Sequence, residues 1–117
     1  MRDHRSMRSQ ALIQVQTTVA SRLDGERIGQ ALVDARLAAC AQLVGPIESR
    51  YRWQGRVTLA EEWLLLLKAR HADWDALTAE IRRLHPYDVP ELLGLPVLTV
   101  SDDYAAWVLE ETTRAGG

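Results

Sequence analysis

The chain has 117 residues, of which 47% are hydrophobic, so it can bury one core but is too short for two ordinary domains. Its formal net charge is -2, with charges of both signs spread along the chain, which gives no general attraction for phosphate backbones and argues against nucleic acid as a partner. A single cysteine, Cys40, cannot form an intramolecular disulfide, which favours a reducing compartment and predicts a cytoplasmic location.

The sequence predicts no membrane span and no signal peptide. The longest apolar run, residues 63–67, is far too short to cross a bilayer. The basic start of the chain is followed by an apolar stretch that Gln14 and Gln16 interrupt, unlike the core of a signal peptide. We therefore expect residues 1–10 to be a flexible leader, or alternatively a basic contact for an acidic partner. Residues 11–114 should form a single domain, followed by a tail, residues 115–117.

The domain is predicted to begin with a strand and a helix. Residues 11–18 alternate in polarity, which is the period of a β-strand with one apolar face. Ser21 and Asp24 can each cap the start of a helix. Apolar residues then recur at helical spacing, namely Ile28, Ala31, Leu32 and Ala35. The helix should end near residue 36 or 37.

A hairpin is predicted next. Residues 40–44 are typical of a strand, and after an irregularity at Gly45-Pro46, interpreted as a bulge or bend, the pattern resumes over residues 47–53. Gln54-Gly55 then supplies a residue that tolerates positive φ, the local signal of a hairpin turn. The third strand is predicted over residues 62–70.

The second long helix is predicted between Asp73, a possible cap, and Pro86, which prevents the helix from continuing. The apolar residues between them keep helical spacing: Trp74, Leu77, Ile81 and Leu84. Residues 92–100 then predict a fourth strand. Because Pro96 cannot donate to a ladder, this strand should lie at a sheet edge or contain a bulge.

A last helix is predicted after Ser101 or Asp102, either of which can cap it. We expect Tyr104, Trp107 and Val108 on one side of this helix. The complete order is β-α-β-β-α-β followed by a helix. It is typical of an α+β, ferredoxin-like sandwich in which two helices cover one face of an antiparallel sheet.

The third strand carries an apolar run that a single copy of this fold does not explain. Successive side chains of a strand point to opposite faces, so residues 63–67, with the sequence Trp-Leu-Leu-Leu-Leu, make the sheet apolar on both faces. Leu92-Leu93 repeats the pattern in the fourth strand. An exposed apolar face normally marks an interface, so we expect a homo-oligomer. The alternative is that the terminal helix folds back over the second face.

Residues 85–91, with the sequence His-Pro-Tyr-Asp-Val-Pro-Glu, are the strongest candidate for part of a functional site. Pro86 and Pro90 bias the residue before each of them away from the helical region, so the chain here is extended or turning. An imidazole, a phenol and two carboxylates lie within these seven residues, the highest density of titratable groups in the chain.

Catalysis and RNA binding have little support. The sequence contains no nucleophile elbow and no glycine loop with the lysine and serine that bind phosphate, so an enzyme is not expected. RNA-recognition modules share the order of elements but require stacking aromatic residues and a basic-aromatic third strand. Here the third strand is leucine-rich and phenylalanine is absent from the chain.

Four ordered groups of residues resemble those of the CutA family of divalent-cation tolerance proteins. They are Leu37-Ala38-Ala39-Cys40; Tyr51 and Trp53 with Gly55; His85-Pro86-Tyr87 with Pro90-Glu91; and Asp103-Tyr104 with Trp107. The resemblance covers the chain from the first strand to the last helix. It implies a compact trimer of ferredoxin-like protomers whose sheets pack together, and association with copper and other divalent cations.

For the metal that the resemblance implies, the candidate ligands are His85, Glu91, Asp88 and Cys40. Imidazole and sulfur ligands favour copper, whereas carboxylates favour harder cations. The chain has no CxxC pair and no HxxxH spacing, so a closed site within one copy is not expected. In a trimer, neighbouring copies can supply the missing ligands.

Two departures from the family predict weak metal binding. Some members have a thiol near the position of Gln16 or Thr17, and some have a second imidazole where this chain has Leu84. Without them we expect a low-affinity site for Cu(II) or another divalent cation. The alternative roles are an imidazolium bonded to the helix end for His85 and a small buried apolar group for Cys40.

A second set of residues predicts an intersubunit cleft. Lys68 follows five apolar residues, so its ammonium should be partly desolvated or end at a carboxylate such as Glu91. This is either an ion pair at the interface or, with Tyr87, Trp53 and His85, the lining of a cleft for an anionic small molecule. The alternative function is thus a regulatory or scaffold trimer, in the manner of PII-type signalling proteins, that binds such a molecule or a protein segment.

Overall fold

The computed structural model describes residues 11–114, so the predicted leader and tail lie outside the described residues. The elements in chain order are β1 (Leu12–Val19), α1 (Arg22–Asp34), β2 (Cys40–Trp53), β3 (Arg56–Arg70), a 3-10 turn (His71–Asp73), α2 (Trp74–Leu84), β4 (Leu93–Pro96) and α3 (Asp102–Glu111). The strands form one antiparallel sheet in the order β2-β3-β1-β4. The predicted α+β class and order of elements are therefore present. Among the described residues, no helix has both the length and the hydrophobicity needed to span a bilayer.

The hydrophobic core lies between one face of the sheet and the helices α1 and α2. Its buried members include Val15 on β1, Leu67 on β3, Ile28 on α1 and Ile81 on α2. Burial of these side chains is the main force that holds the two long helices on this face. The predicted cap of α1 is confirmed, because Ser21 Oγ accepts the N–H of the third residue of the helix at 3.1 Å.

The hairpin of β2 and β3 is longer than predicted. Its turn is formed by Gln54 and Gly55, with φ of 51° and 79°, and positive φ at both positions is the property of a tight hairpin turn that suits the strand twist. The predicted irregularity at Gly45-Pro46 is a bulge, where the pairing register shifts between Val44 and Ile47. β3 begins at residue 56 rather than 62, because its first residues pair one for one with the end of β2.

β4 is shorter than the predicted strand of residues 92–100, although it lies at the sheet edge as predicted. It pairs with β1, and Pro96 is opposite Ile13. Pro96 has no N–H to donate and β1 extends only one residue further, so the ladder stops there. Val97 and Val100 pack against α3 instead of continuing the strand.

Two predicted caps differ in the structure. The 3-10 turn leads into α2, so Asp73 has φ of -94° and ψ of 7° instead of the extended conformation of a capping residue. Its carboxylate pairs with the guanidinium of Arg114 at 2.9 and 3.0 Å. Ser101 occupies the capping position of α3, but its side chain makes no capping hydrogen bond there.

α3 covers one end of the second sheet face. Leu12 points away from α1 and α2, and it packs with Ala105 and Val108 of α3. Tyr104 and Trp107 lie on the outer side of the helix, with ring centroids 5.6 Å apart and both rings partly exposed. Of the three residues predicted on one side of this helix, only Val108 is fully buried, and Ala105 joins it in the packed cluster.

Arg70, the last residue of β3, fixes the far end of α3. Its guanidinium donates to the carbonyl oxygen of Leu109 and, at 2.8 Å, to Thr112 Oγ1. A second hydroxyl, Thr113 Oγ1, lies 3.2 Å from the same guanidinium. The last carbonyls of a helix have no partner within the helix, so this cation satisfies one of them.

Residues 11–114 leave most of the second sheet face uncovered. Val44 on β2 and Leu93 on β4 are 48% and 47% exposed, and Leu66 between them on β3 is only partly buried. The alternative in which the terminal helix covers this face is wrong, because α3 reaches only the end near Leu12. The prediction of a sheet that is apolar on both faces is confirmed.

Candidate functional site

His85 ends α2, and its imidazole is buried against β1. The residue is 7% exposed, its Nε2 lies 2.8 Å from the carbonyl oxygen of Thr18, and its Nδ1 accepts the N–H of Tyr87 at 3.1 Å. Because Nδ1 accepts a hydrogen bond, Nε2 must carry the ring proton and donate it to Thr18. Both ring nitrogens are thus used within the protomer, so a cation bound at Nδ1 has to displace one backbone hydrogen bond.

The alternative role predicted for His85, a charged ring bonded to the end of the helix, is not found. The carbonyl of Leu84 accepts instead from the guanidinium of Arg27 at 2.8 Å. The imidazole points away from the helix end and toward the strand. The helix end is therefore satisfied by a residue of α1.

Tyr87 connects the segment of residues 85–91 to β3. Its hydroxyl donates to Glu62 Oε2 at 3.0 Å, and its ring centroid lies 4.8 Å from that of His85. Burial, followed by the hydrogen bond and the negative charge of Glu62, raises the pKa of Tyr87 to about 12. The hydroxyl therefore remains a hydrogen-bond donor throughout the neutral range.

A groove of about 510 Å³ opens beside this pair. Its lining comes from four parts of the chain and includes Thr18 from β1, Tyr51 and Trp53 from β2, Glu62 from β3, and Tyr87, Asp88 and Glu91 from the segment of residues 85–91. The structure thus brings together four of the residues predicted for a site. It adds Glu62, a residue that is only 7% exposed.

Two other predicted residues, Lys68 and Cys40, lie outside the groove and opposite each other in the β2–β3 ladder. Lys68 Nζ donates to Gln42 Oε1 at 2.7 Å, whereas Glu91 Oε2 accepts from Gln16 Nε2 at 3.1 Å. The predicted ion pair between Lys68 and Glu91 is therefore absent within the protomer. Lys68 turns toward β2, while the partner of Glu91 is on β1.

The candidate metal ligands are dispersed. Asp88 and Glu91 both line the groove, Cys40 lies elsewhere on the sheet, and the nitrogens of His85 are engaged. In the described part of the chain, no group of three or more His, Cys, Asp or Glu side chains is arranged to hold a metal ion. A closed four-ligand site would therefore need ligands beyond these residues.

Sequence reasoning missed Glu62 as a site residue. One signal was available, because Glu62 directly precedes the apolar run of residues 63–67, and strand alternation puts its side chain on the same face as Leu64 and Leu66. Its contact with Tyr87 joins residues 25 positions apart, and local patterns do not reveal such a pairing.

Comparison with known proteins identifies the family. Residues 13–111 match the family model described as CutA1 divalent ion tolerance protein. The chain belongs to this family. The CutA1 description names tolerance of ions and not a chemical reaction.

Individual CutA relatives support this assignment. The chain is 41% identical over 95 residues to the divalent-cation tolerance protein CutA of Thermus thermophilus, covering 81% of this chain and 92% of that protein. It is 40% identical to the chloroplastic protein CutA of Arabidopsis thaliana, covering 87% of this chain but only 56% of that longer protein. The crystal structure of CutA1 from Oryza sativa superposes with a TM-score of 0.87 at 36% identity, covering 92% of this chain and 98% of that one.

Proposed function

We propose that this CutA1 family member is a cytoplasmic, non-catalytic homotrimer that binds divalent cations, copper foremost, with low affinity and contributes to metal-ion tolerance. The observation that carries the proposal is the family match over residues 13–111. The relative from Thermus thermophilus, which this chain covers almost completely, is named for divalent-cation tolerance. The cytoplasmic location rests on the single cysteine, which cannot form an intramolecular disulfide and therefore favours a reducing compartment.

The uncovered sheet face supports the assembly. Val44 and Leu93 stand on strands that flank β3 and β1, and both side chains point to the face that α1 and α2 do not cover. Contact with other copies removes this apolar surface from water and gives the stabilisation that a single chain lacks. A trimer also brings repeated copies of each cation ligand close together.

The exposed carboxylates of Asp88 and Glu91 are the first ligands in this proposal, because they line one groove and have no competing cation within ion-pair distance among residues 11–114. His85 joins them at Nδ1 when the N–H of Tyr87 is released. Cys40 supplies a separate, softer ligand. A site completed between copies from such ligands should bind weakly, with Cu(II) ahead of the other divalent first-row metals.

The alternative of a PII-like trimer that binds an anionic molecule is less well supported by the groove. Three carboxylates line it, those of Glu62, Asp88 and Glu91, against the single guanidinium of Arg50. That guanidinium already pairs with Glu48 at 2.6 Å. An anion would therefore meet a net negative lining.

Calorimetric titration with Cu(II) tests the proposal. We expect the double substitution Asp88→Asn with Glu91→Gln to remove most of the binding heat, and His85→Ala to weaken binding while the oligomer persists. Glu61→Gln, an exposed carboxylate on β3 outside the groove, is the matched control and should bind as the unsubstituted protein does. Equal affinity in all variants would exclude these ligands, and a monomer in light scattering would exclude the assembly.

A further inference from the structure

Glu62 is a buried carboxylate without a charged partner in its own protomer. The residue is 7% exposed, and its carboxylate accepts from the hydroxyl of Tyr87 at 3.0 Å. No Lys, Arg or His among residues 11–114 lies within ion-pair distance of it. Burying an ionised carboxylate costs free energy unless a cation or several hydrogen bonds compensate. One copy of the chain therefore leaves this charge uncompensated over residues 11–114.

Lys68 is the corresponding cation without an anion. It is the only lysine in the sequence, and its side chain is partly buried. Its ammonium donates to the amide oxygen of Gln42 at 2.7 Å, and no carboxylate among residues 11–114 lies within ion-pair distance. A neutral amide does not compensate the charge, so removing the remaining water from Lys68 also costs free energy.

These two charges stand at opposite ends of one apolar patch. They are six positions apart on β3, so strand alternation puts both side chains on the second sheet face, roughly 20 Å from each other. Leu64 and Leu66 lie between them on that face, and Val44 of β2 is directly opposite Leu64. The separation excludes a contact between Glu62 and Lys68 of the same chain.

A cyclic assembly can bring the two ends together. This step rests on the homotrimer of the proposed function, which covers the apolar patch. In a closed ring of three copies the contacts are heterologous, so one surface of a copy meets a different surface of the next. Covering the patch removes water from the charges at both of its ends. The carboxylate end of one copy placed against the lysine end of the next compensates both charges at once.

Two arginines share the second sheet face with Lys68 but are less suited to this role. Arg70 is bonded to the end of α3 through the carbonyl of Leu109 and the hydroxyl of Thr112. Arg56 lies near the hairpin turn, on the far side of Glu62 from the apolar patch, and it is exposed. Covering the patch therefore leaves the guanidinium of Arg56 in water, with no free energy gained by pairing it.

We propose that Lys68 of one copy forms an ion pair with Glu62 of the next, so that a residue from a second chain completes the groove beside Tyr87. Glu91 lines the same groove and is the partner that the sequence predicts for Lys68. However, Glu91 is exposed and already accepts from Gln16, so it has less need of a cation than the buried Glu62. Three identical pairs then fix the position of each sheet against the next around the ring.

Carbodiimide coupling of the purified oligomer tests this pair. The reagent takes up the water released when an amine and a contacting carboxylate condense to an amide, and Lys68 is the only side-chain amine of the sequence. We expect covalent dimers and trimers in denaturing electrophoresis. In a tryptic digest, mass spectrometry should find two copies of the peptide that begins at Val57, joined through Lys68 of one and Glu62 of the other.

Matched variants control the coupling. Lys68→Arg keeps the positive charge but cannot be coupled, so it should abolish this product while light scattering shows an unchanged oligomer. Glu62→Gln should also abolish it. Glu61→Gln removes the same charge one residue away on the opposite sheet face and should leave the product intact. Lys68→Arg and the mapping of the unsubstituted protein decide the question even where Glu62→Gln fails to fold.

Thermal unfolding provides a measurement that needs no reagent. Lys68→Met should lower the unfolding temperature, and adding Glu62→Gln to it should cause a smaller further loss than Glu62→Gln alone. Residues roughly 20 Å apart in one chain are expected to act additively, so this coupling would report a contact between copies. Additive losses would contradict the ion pair.

The outcomes separate this pair from the proposed assembly. A link from Lys68 to Glu91, or an intact oligomer without any link from Lys68, would overturn the pair and leave the trimer standing. A monomer in light scattering before coupling would overturn both. Neither result depends on the Cu(II) titration of the Asp88 and Glu91 variants.

Discussion

Four residues form one chain of hydrogen bonds between β1 and β3. His85 Nε2 donates to Thr18, the N–H of Tyr87 donates to His85 Nδ1, and the Tyr87 hydroxyl donates to Glu62. Each donor in this chain therefore meets one acceptor. The segment that sequence reasoning selected for its titratable groups therefore has a structural function as well, since it ties α2 to two strands.

The raised pKa of Tyr87 predicts a loss of stability in alkaline solution. The folded state keeps the proton up to a pKa of about 12, against 10.0 for an ordinary tyrosine, so the contribution is complete below pH 10.0 and is lost as the pH rises to about 12. Denaturant unfolding at increasing pH should show a steeper decline for the unsubstituted protein than for Tyr87→Phe in this window. Parallel declines would show that the phenol is not coupled to folding.

The site residues differ in how far sequence alone could place them. Tyr87 and Asp88 lie between Pro86 and Pro90, and Glu91 directly follows Pro90, so their joint presence in the groove follows from local pattern. The partners of Lys68 and Glu91 depend on which way two long side chains turn across the sheet, and local pattern does not specify this. Within the protomer the two side chains therefore have other partners, and the Lys68–Glu91 contact at an interface stays a prediction.

Among the elements, those with local signals were predicted best. β1 and α1 lie within a few residues of their predicted bounds, because alternation, helical spacing and the Ser21 cap are all encoded nearby. The extent of β3 and β4 depends on the partner strand instead. β3 gains residues 56–61 by pairing with β2, and β4 ends at Pro96, which has no N–H to donate to β1.

The hydrogen bonds of Arg70 attach the end of α3 to β3. Arg70→Ala removes a charged donor from the carbonyl of Leu109 and from the hydroxyl of Thr112, and we expect a loss of about 2 kcal/mol in unfolding free energy. Arg70→Lys should recover part of this free energy, because a lysine ammonium keeps the charge but cannot reproduce the planar set of guanidinium donors. Hydrogen exchange should locate the loosening in α3.

The control for this experiment is Arg83→Ala. Its guanidinium lies on the exposed face of α2 and pairs with Glu80, a contact that solvent screens. We expect a smaller loss of stability and no change in the exchange of α3. Equal effects of the two substitutions would show that Arg70 does not fix the helix.

At the scale of the whole molecule, the apolar second face predicts an assembly that charge can disrupt. Val44→Glu combined with Leu93→Glu places two carboxylates on this face without touching the buried core, and we expect a monomer in size-exclusion chromatography with light scattering. Leu23, 72% exposed on α1, provides the control: Leu23→Glu should leave the mass unchanged. An unaltered oligomer in the double variant would mean that copies associate elsewhere.

The bulge in β2 determines which sheet face the side chains of the outer hairpin point to. Between Val44 and Ile47, β2 contains one residue more than the paired part of β3. Odd-numbered side chains of β2 therefore change sheet face at the bulge. Leu43 points toward α1 and α2, whereas Tyr51 and Trp53 point away from them. With an unbroken ladder the same odd positions would all lie on the helix side. The one extra residue of the bulge therefore places the rings of Tyr51 and Trp53 on the sheet face away from the helices.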